Sequence, residues 1–343
     1  MRPIANPPNP WHSTHCDYLG EAPPAALEVY EESARSIVVE NDSPDVGFRW
    51  SVNAYRGCFH ACAYCYARPS HQYLGFGAGT DFERKIVVKT NAPELLRAAF
   101  AKRSWTGELL AMSGNTDCYQ PLEASYELTR RMLMVCVEHR QPVGLITKGA
   151  LIRRDVNLLA ELHRVARATV SLSIPFADDV TARKIEPSAS PPSARFAAMR
   201  ALADAGVPVG INIAPIIPGL NDRDVPELLE RAHAAGARRA AIIPVRLPRE
   251  VLPVFRLRLR EGFSPSEVRK IEHGVEEMRG GDGRMNNSRF GERMTGEGAR
   301  WQATEALFDA HVKRLDMNGA HEWTEPPATF RRPTAQTSLF GED

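Results

Sequence analysis

CFHACAYC, residues 58–65, places three cysteines within one short stretch of the chain. Three residues separate Cys58 from Cys62, and two separate Cys62 from Cys65. Thiolates this close together on a loop can bind one metal centre, and soft sulfur ligands favour zinc or an iron–sulfur cluster over calcium or magnesium. The stretch therefore predicts a thiolate-ligated centre, which the rest of the chain must hold in place.

The number of available ligands bears on the kind of centre. A closed zinc site takes four ligands, commonly as two separated pairs, so His60 or His71 would have to complete the triplet. A 4Fe–4S cluster normally takes four thiolates, so three from one loop would leave one iron open to a substrate or cofactor. The missing second pair favours the cluster, with a Cys3His zinc site as the alternative.

The spacing Cys-x3-Cys-x2-Cys, with Tyr64 before the last cysteine, resembles the cluster loop of the radical S-adenosylmethionine (SAM) enzymes. Cys65-Tyr66 and the turn Thr116-Asp117 resemble the branch that contains spore photoproduct lyase, and the likeness extends over residues 47–317. The resemblance implies a 4Fe–4S cluster on Cys58, Cys62 and Cys65. It further implies that the open iron chelates SAM, and that an electron from the cluster cleaves SAM to methionine and a 5′-deoxyadenosyl radical.

Length and composition are those of an ordinary soluble globular protein: 343 residues, of which 25% are charged and 43% hydrophobic. A net charge of +1 argues against a uniformly basic surface, so nucleic-acid binding would require a local patch of Lys and Arg. The six cysteines show no disulfide-like framework. Neither a signal peptide nor a bilayer-spanning apolar run is recognisable, so we predict a cytoplasmic protein without a membrane partner.

Short apolar strands alternate with helices through the middle of the chain. Strands are predicted at residues 48–54, 109–112, 143–147, 168–174, 207–217 and 240–245. This alternation predicts an α/β protein with a parallel sheet, a partial TIM-like (β/α)6 barrel over residues 47–248. A complete eight-unit barrel is the alternative. Around the core we predict an extended N-terminal lead-in (1–46), a C-terminal helical extension (249–324) and a disordered tail (325–343).

Polar residues mark the ends of these strands, where barrel enzymes place their chemistry. Thr116 and Asp117 follow the second strand and suit an ammonium group, although a helix-capping turn would use the same residues. Lys148 ends the third strand as a point charge for a carboxylate, and Ser173 lies on the fourth. The resemblance to the lyase branch implies that these four residues contact SAM. Arg195 is a further candidate SAM contact, with a solvated helix arginine as the alternative.

Three residues are candidates for the radical chemistry. By the same resemblance, Tyr64 and Tyr66 are assigned to adenine packing or to relaying a hydrogen atom, and a plain cavity wall is the alternative. The lyase branch has a cysteine hydrogen donor just before the second-strand turn. This chain has Gly114 and Asn115 there, so Cys118, beyond the turn, is the candidate donor. That departure separates this chain from lyase chemistry itself.

Arginines are concentrated after the sixth strand. Arg256, Arg258 and Arg260 alternate with apolar residues, so as a strand they would present one basic face, whereas a helix would spread them around its axis. A basic face beside the barrel mouth would suit phosphate groups. The stretch therefore favours DNA or another nucleic acid as a partner.

The C-terminal stretch around Gln336, Leu339 and Phe340 resembles the peptide by which bacterial repair and replication proteins bind the sliding clamp. With the arginines and the branch resemblance, it favours a radical SAM enzyme that abstracts hydrogen from a nucleic-acid lesion or modified base. An electron donor such as flavodoxin or ferredoxin is implied. The alternatives are radical modification of a protein or small molecule, and a non-catalytic, metal-stabilised adaptor on the clamp.

Overall fold

A seven-stranded sheet forms the centre of the molecule. The computed structural model describes residues 26–319 and 328–333. The strands of these residues are β1 (Glu28–Glu32), β2 (Val38–Glu40), β3 (Trp50–Val52), β4 (Tyr55–Arg56), β5 (Lys85–Lys89), β6 (Leu110–Met112), β7 (Val143–Thr147), β8 (Ala168–Ser173), β9 (Val209–Ile216) and β10 (Arg239–Pro244). The large sheet has the order β10-β9-β8-β7-β6-β3-β2, and only β2 runs antiparallel to its neighbour.

Helices follow the strands and pack against one another around the sheet. The α-helices of the described residues are α1 (Thr80–Arg84), α2 (Ala92–Ala101), α3 (Glu123–Tyr126), α4 (Leu128–Glu138), α5 (Val156–Val165), α6 (Asp179–Ile185), α7 (Pro192–Asp204), α8 (Val225–Ala234), α9 (Leu252–Gly262), α10 (Pro265–Met278) and α11 (Gly298–Arg314). Contacts run from α2 to α4, α5, α7, α8 and α11 in turn. Within the described residues, none of these helices is long and apolar enough to cross a membrane.

The predicted partial barrel is confirmed. Strands β3, β6, β7, β8, β9 and β10 are parallel neighbours in chain order, and each corresponds to a predicted strand. Strands β10 and β2 form the two edges, and no pairing among the described residues joins these edges into a closed barrel. The described chain therefore forms six βα units, and the eight-unit alternative does not hold for it.

Buried side chains alternate along the strands, which is why these short segments are stable as strands. In β7, Val143, Leu145 and Thr147 are buried while Ile146 is exposed. Successive strand residues point to opposite faces, so one face of β7 joins the core. Because Thr147 is the last residue of the strand, a polar group lies at the carboxyl edge of this buried face.

A second, three-stranded sheet flanks the cysteine loop in the chain: β1 and β4 precede the loop and β5 follows it. Strand β5 is its centre, parallel to β1 and antiparallel to β4. We predicted one continuous strand over residues 48–54, but the chain breaks after β3 because the Asn53 side chain accepts the backbone N–H groups of Asn115 and Thr116, at 3.0 and 3.2 Å. The break moves β4 into the small sheet, so that the cysteine loop begins directly after a paired strand.

The arginine-rich stretch is helical, so the strand interpretation with one basic face is wrong. In α9, Arg256 forms an ion pair with Glu272, and Arg258 lies between Glu83 and Glu261. The stretch packs as a helix because Phe255 and Leu259, one turn apart, are both fully buried. Two of the three arginines are therefore neutralised by carboxylates.

Part of the predicted disordered tail packs against the core. The Phe330 ring lies 5.7 Å from Phe100 and 6.2 Å from His139, measured between ring centroids. The backbone N–H of Arg331 donates to the His139 carbonyl at 2.8 Å. The prediction of disorder is therefore wrong for residues 328–333, because Phe330 has an apolar cluster to join. The predicted clamp peptide lies outside the described residues.

Truncating Phe330 tests whether this segment stabilises the fold. We expect Phe330→Ala to lower the free energy of unfolding by about 2 kcal/mol, below the range for a fully buried phenylalanine because the ring is half-buried. Urea unfolding measures the change. Phe290→Ala is the matched control, because Phe290 is 61% exposed and should change stability by less than about 0.5 kcal/mol. Equal stability of the two variants would contradict the packing role.

Candidate active site

The cysteine loop turns sharply back on itself. Gly57, just before it, has φ 78°, and a Cβ atom there would lie 2.9 Å from the Phe82 carbonyl oxygen. That same oxygen accepts the backbone N–H of Cys58 at 2.9 Å. Glycine is therefore required at this position both by the left-handed backbone and by the close approach. The turn places Cys58 and Cys62 in buried positions and leaves Cys65 half-buried.

The three thiols form one electrostatic group. Burial raises the pKa of Cys62 and of Cys65, and the neighbouring cysteines raise both further. Lys148 lowers the pKa of Cys62, and Arg68 lowers that of Cys65. A cationic centre would stabilise all three thiolates, since a coordinated thiol is deprotonated outright. These residues are therefore suited to a cofactor that carries positive charge.

The arrangement fits a 4Fe–4S cluster better than zinc. Within residues 26–319 and 328–333, no three His, Cys, Asp or Glu side chains are close enough to enclose a single metal ion. Each thiolate of a 4Fe–4S cluster binds its own iron, so cluster ligands stand farther apart than the ligands of a single zinc ion. The thiols of this loop act on one another electrostatically, as ligands of one shared cluster would.

The two histidines of the zinc alternative have different partners. His60 Nδ1 lies 3.4 Å from Asp117 Oδ2, and although burial opposes its charge, Asp117 raises the pKa of His60 to about 10. A protonated imidazole has no lone pair for zinc. The His71 Nε2 atom lies 2.9 Å from the Lys85 carbonyl oxygen. His60 is thus engaged by Asp117, and within the described residues neither histidine belongs to a group of three ligands that could hold one metal ion.

Arg68 anchors the loop from beneath. Its fully buried guanidinium donates to the Cys62 carbonyl from Nε and Nη2, at 3.1 and 2.8 Å, and forms an ion pair with Glu83. It also donates to the carbonyls of Ala78 and Gly79, at 3.2 and 3.0 Å. One side chain therefore joins the middle cysteine to the segment that leads into α1.

Asp117 joins the ends of β6 and β7. Its carboxylate accepts the Thr147 hydroxyl at 2.6 Å and the Lys148 backbone N–H at 2.7 Å. Burial opposes ionisation, but His60 and these hydrogen bonds hold the pKa of Asp117 well below its usual range. Thr116 is also engaged, donating its hydroxyl to the Tyr55 carbonyl at 2.8 Å. No side chain caps α3, so the helix-capping alternative is not seen; Asp117 instead accepts the Tyr119 backbone N–H at 2.9 Å within the turn.

Lys148, Ser173, Arg195 and Tyr64 meet around one carboxylate, Glu186. Lys148 Nζ donates to Ser173 Oγ at 2.7 Å and lies 3.9 Å from Glu186 Oε1. Tyr64 donates its hydroxyl to Glu186, and Arg195 forms a fully buried ion pair with it. The solvated alternative for Arg195 is therefore wrong. Four of the predicted site residues come together, and the lysine among them stands beside Cys62.

Glu186 is the residue that sequence reasoning missed as a member of the site. Helix α6 ends just before it, and Pro187 follows, so the local pattern is that of an ordinary helix end. Burial opposes its charge, yet Arg195 and Lys148 keep its pKa below the usual glutamate value. The one feature of the sequence that could have indicated its role is that Glu186 lies shortly before Arg195 in the chain. An arginine that becomes buried needs a carboxylate partner.

The remaining two candidates, Tyr66 and Cys118, lie close to the turn that follows β6. Tyr66 donates its hydroxyl to the Gly114 carbonyl at 2.9 Å, and its side chain is 52% exposed. Cys118 is buried, and burial together with the charge of Asp117 raises its pKa well above the usual thiol value. Its thiol therefore stays protonated at neutral pH, as a hydrogen-atom donor must.

An open α/β barrel with three neighbouring thiols on one loop and a charged network at its strand ends defines a protein that binds a thiolate-ligated cofactor at the barrel mouth. The model of the radical SAM superfamily matches residues 52–232, and the chain belongs to this family. Its members use a 4Fe–4S cluster and SAM, and the three thiols of this chain fit that cofactor pair.

Two groups of relatives frame the comparison. An uncharacterized protein of Mycobacterium tuberculosis is 40% identical over 192 residues, which are 55% of this chain and 56% of the relative. The chain thus spans about half the length of these mycobacterial relatives. An uncharacterized protein of Methanocaldococcus jannaschii is 31% identical over 196 residues, 57% of this chain and 70% of that protein.

The solved structures agree on the fold. Spore photoproduct lyase complexed with dinucleoside spore photoproduct has a TM-score of 0.59 at 16% identity, covering 84% of this chain and 79% of that chain. A cysteine-to-serine mutant of the same enzyme has a TM-score of 0.58 with the same identity and coverage. The likeness concerns the fold, so the substrate of this chain needs its own argument.

Proposed function

We propose that this protein is a radical SAM enzyme whose substrate is a nucleic-acid lesion or modified base. The observation that carries the proposal is the position of Lys148, whose amine is held by Ser173 and Glu186 and whose charge lowers the pKa of the Cys62 thiol. Glu186 also pairs with Arg195, so two positive charges share one carboxylate and an anionic ligand next to the cluster loop would balance the second. The carboxylate of SAM supplies that anion.

Each predicted residue then has a defined task. Cys58, Cys62 and Cys65 hold a 4Fe–4S cluster, which with SAM supplies a 5′-deoxyadenosyl radical for hydrogen abstraction from the substrate. Lys148 binds the SAM carboxylate, and Ser173 with Glu186 keeps its amine in place. Thr116 and Asp117 provide oxygen atoms, and Asp117 a negative charge, for the SAM amino group. Arg195 acts through Glu186, and so is a positioning residue in this scheme.

Two tyrosines and a cysteine complete the proposed chemistry. Tyr64 packs beside Lys148, whose Nζ lies 5.6 Å from the ring centroid, and so forms the wall next to SAM. Tyr66 presents an exposed ring on the substrate side. Cys118 is the proposed hydrogen-atom donor, supported by its neutral thiol. Its place beyond the turn argues for a reaction other than that of the lyase branch.

A nucleic-acid substrate is supported by the surroundings of the site. The guanidinium of Arg246 lies 5.7 Å from the Tyr66 ring centroid, and an aromatic face beside an arginine suits a stacked base and its phosphate. The solved lyase with this fold is complexed with a dinucleoside photoproduct. We propose a cytoplasmic enzyme reduced by flavodoxin or ferredoxin. Attachment to a sliding clamp through Gln336, Leu339 and Phe340 stays a proposal on residues outside the described part.

The experiment is anaerobic iron–sulfur reconstitution followed by reduction with dithionite in the presence of SAM. We expect wild-type protein to form 5′-deoxyadenosine and Cys62→Ala to fall to background, because one cluster ligand is missing. Cys136→Ala is the matched control: Cys136 is buried in α4 away from the loop, so its variant should retain SAM cleavage. Damaged DNA is then added, and faster 5′-deoxyadenosine formation is expected. A zinc-loaded protein that never cleaves SAM would contradict the proposal and leave the adaptor alternative.

A further inference from the structure

Three arginines gather at the open edge of the barrel beside Tyr66. Arg246 follows β10, Arg279 follows α10, and Arg293 lies in the segment between α10 and α11. We refer to these three residues as the arginine cluster. Burial lowers the pKa of Arg246 and of Arg279, and neighbouring positive charges lower both further: Arg293 acts on Arg246, and Arg246 acts on Arg279. Like charges have thus been collected at one point next to the cysteine loop.

Only one member of the arginine cluster is neutralised. Arg293 forms an ion pair with Asp45, whose carboxylate also accepts the Gly291 backbone N–H at 2.7 Å. Within the described residues, Arg246 and Arg279 form no ion pair with any carboxylate. Glu297 acts on Arg279 only from an exposed position, without an ion pair. Among these residues, Arg246 and Arg279 therefore have no carboxylate in direct contact, and Asp45, which is already paired with Arg293, acts on Arg246 without an ion pair.

The contrast with the other buried arginines is informative. Arg68 and Arg258 both pair with Glu83, and Arg195 pairs with Glu186. Elsewhere in the described fold, then, burial of an arginine is offset by a carboxylate, as the cost of an isolated buried charge requires. Arg279 is buried and Arg246 is half-buried, and neither forms an ion pair with a carboxylate of the described residues, which is the feature expected where the counter-charge arrives with a ligand.

Arg246 and Arg279 differ in how many of their N–H donors form hydrogen bonds. Arg279 donates to the carbonyls of Val245 and Thr295, at 2.6 and 2.7 Å, and burial lowers its pKa to about 10. Arg246 has one contact at hydrogen-bond distance, a weak one from Nη1 to the thioether sulfur of Met294 at 3.7 Å. The Nε atoms of both side chains are buried without a partner. Arg246 is therefore the residue with donors to spare, and Arg279 is fixed behind it.

Arg246 also faces the place where a substrate must come. Its guanidinium lies over Tyr66, and Tyr66 follows the cluster ligand Cys65 directly and donates to the Gly114 carbonyl after β6. The ring is half-exposed, so a planar group can lie on it while an anion meets Arg246. A base with an attached phosphodiester has this combination of a π-face and a negative charge.

We propose that Arg246, supported by Arg279, binds a backbone phosphate of a nucleic-acid substrate beside Tyr66. This inference rests on the proposed function and names how the same site recognises its substrate. A guanidinium group binds phosphate oxygens through paired N–H donors. The weak contact of Arg246 with the Met294 thioether leaves such donors available. The Asp45–Arg293 ion pair ties the segment that carries Arg293 and Met294 to the N-terminal part of the chain and so keeps the arginine cluster in place.

The test is equilibrium binding of a fluorescently labelled single-stranded oligothymidylate, measured by anisotropy on the reconstituted protein without reductant. We expect Arg246→Gln to weaken binding about tenfold, as for loss of a charged hydrogen bond. The slope of log affinity against log salt concentration should also decrease, by the amount expected for the loss of about one phosphate contact. Arg97→Gln is the matched control, because Arg97 is an exposed arginine on α2 paired with Glu138. It should bind within twofold of wild type.

A second oligothymidylate with an uncharged methylphosphonate backbone identifies the group that is recognised. Wild type should bind it more weakly, and Arg246→Gln should then cause little further loss, since there is no phosphate charge left to contact. An equal loss on both backbones, or no loss for Arg246→Gln on the charged one, overturns the inference. Circular dichroism and urea unfolding of each variant separate lost binding from lost folding, and Arg246→Lys, which keeps the charge, should restore part of the affinity.

The outcome also separates this inference from the proposed radical chemistry, because binding is measured without turnover. A protein that cleaves SAM but binds both backbones independently of Arg246 overturns the phosphate site alone. Arg246-dependent binding by a protein that never forms 5′-deoxyadenosine supports the phosphate site and overturns the radical function.

Discussion

Glu186→Gln is expected to lower the free energy of unfolding by about 3 kcal/mol or more, the range for breaking a buried ion pair by removing one partner. The fully buried guanidinium of Arg195 would lose its counter-charge, and the amine of Lys148 would lose the carboxylate that lies 3.9 Å away. Because Lys148 is the proposed anchor of SAM, SAM affinity should fall in the same variant. Urea unfolding and equilibrium SAM binding measure the two effects.

Matched variants isolate the buried charge. Glu138→Gln removes a carboxylate from an exposed pair with Arg97 and should change stability by less than about 1 kcal/mol. Glu186→Asp keeps the charge on a shorter side chain and should recover part of the stability that Glu186→Gln loses. If Glu186→Gln and Glu138→Gln lose the same small amount, the network does not depend on Glu186.

The pH dependence of stability gives an independent reading of the same group. The folded-state pKa of Glu186 lies below the ordinary value of 4.5, because Arg195 and Lys148 outweigh the effect of burial. A group with a lowered pKa contributes its full stability above the unfolded-state pKa and loses it as the pH falls through the folded-state pKa. Wild type should therefore lose stability below about pH 4.5 more steeply than Glu186→Gln.

The local sequence pattern was enough to predict the strands and the loop that carry the site. Alternating strands and helices indicate a parallel sheet, and parallel strands bring their carboxyl ends to one edge. That is why Lys148 after β7 and Ser173 at the end of β8 could be placed together before any contact was known, and their side chains lie 2.7 Å apart. The cysteine loop is likewise a matter of local spacing.

What the pattern missed depends on contacts between distant parts of the chain. Glu186 stands at an ordinary helix end, and only the fold brings Tyr64, from a segment more than a hundred residues earlier, to it. The tail over residues 325–343 was predicted to be disordered from its composition, and only the fold brings Phe330 to Phe100 and His139. The stretch Arg256–Arg260 fits a strand by alternation, and burial of Phe255 and Leu259 one turn apart decides for a helix.

The charged residues around the site fall into two groups. Those buried beneath the cysteine loop form ion pairs, and within the described residues Arg246 and Arg279, at the place where a ligand is expected, do not. Glu83 neutralises Arg68 and Arg258 below the cysteine loop, and Glu186 neutralises Arg195 beside it. Buried pairs of this kind contribute little net stability but are costly to break, so they hold the surrounding backbone in one arrangement. The arginine that supports the middle cysteine is therefore the next place to test.

Arg68→Lys is expected to destabilise the protein by about 3 kcal/mol, because the buried Glu83 charge and several carbonyl groups lose well-placed donors. The planar guanidinium donates to Cys62, Ala78 and Gly79 at once, and a lysine ammonium has three donors on one atom, which cannot reach the same set. The Cys62 carbonyl would be released, and the cysteine loop would sample other conformations. We therefore expect this variant to retain less iron after reconstitution than wild type.

Iron content and visible absorbance after gel filtration measure cluster retention, and urea unfolding measures stability. Arg256→Lys is the matched control, because Arg256 carries the same side chain on α9 but pairs with Glu272 in a partly exposed position. Its iron content should equal that of wild type, and its stability should change by less than about 0.5 kcal/mol. An Arg68→Lys protein that kept wild-type iron and unfolded at the wild-type urea concentration would show that the turn at Gly57 and the hydrogen bond from Cys58 to Phe82 hold the loop without this anchor.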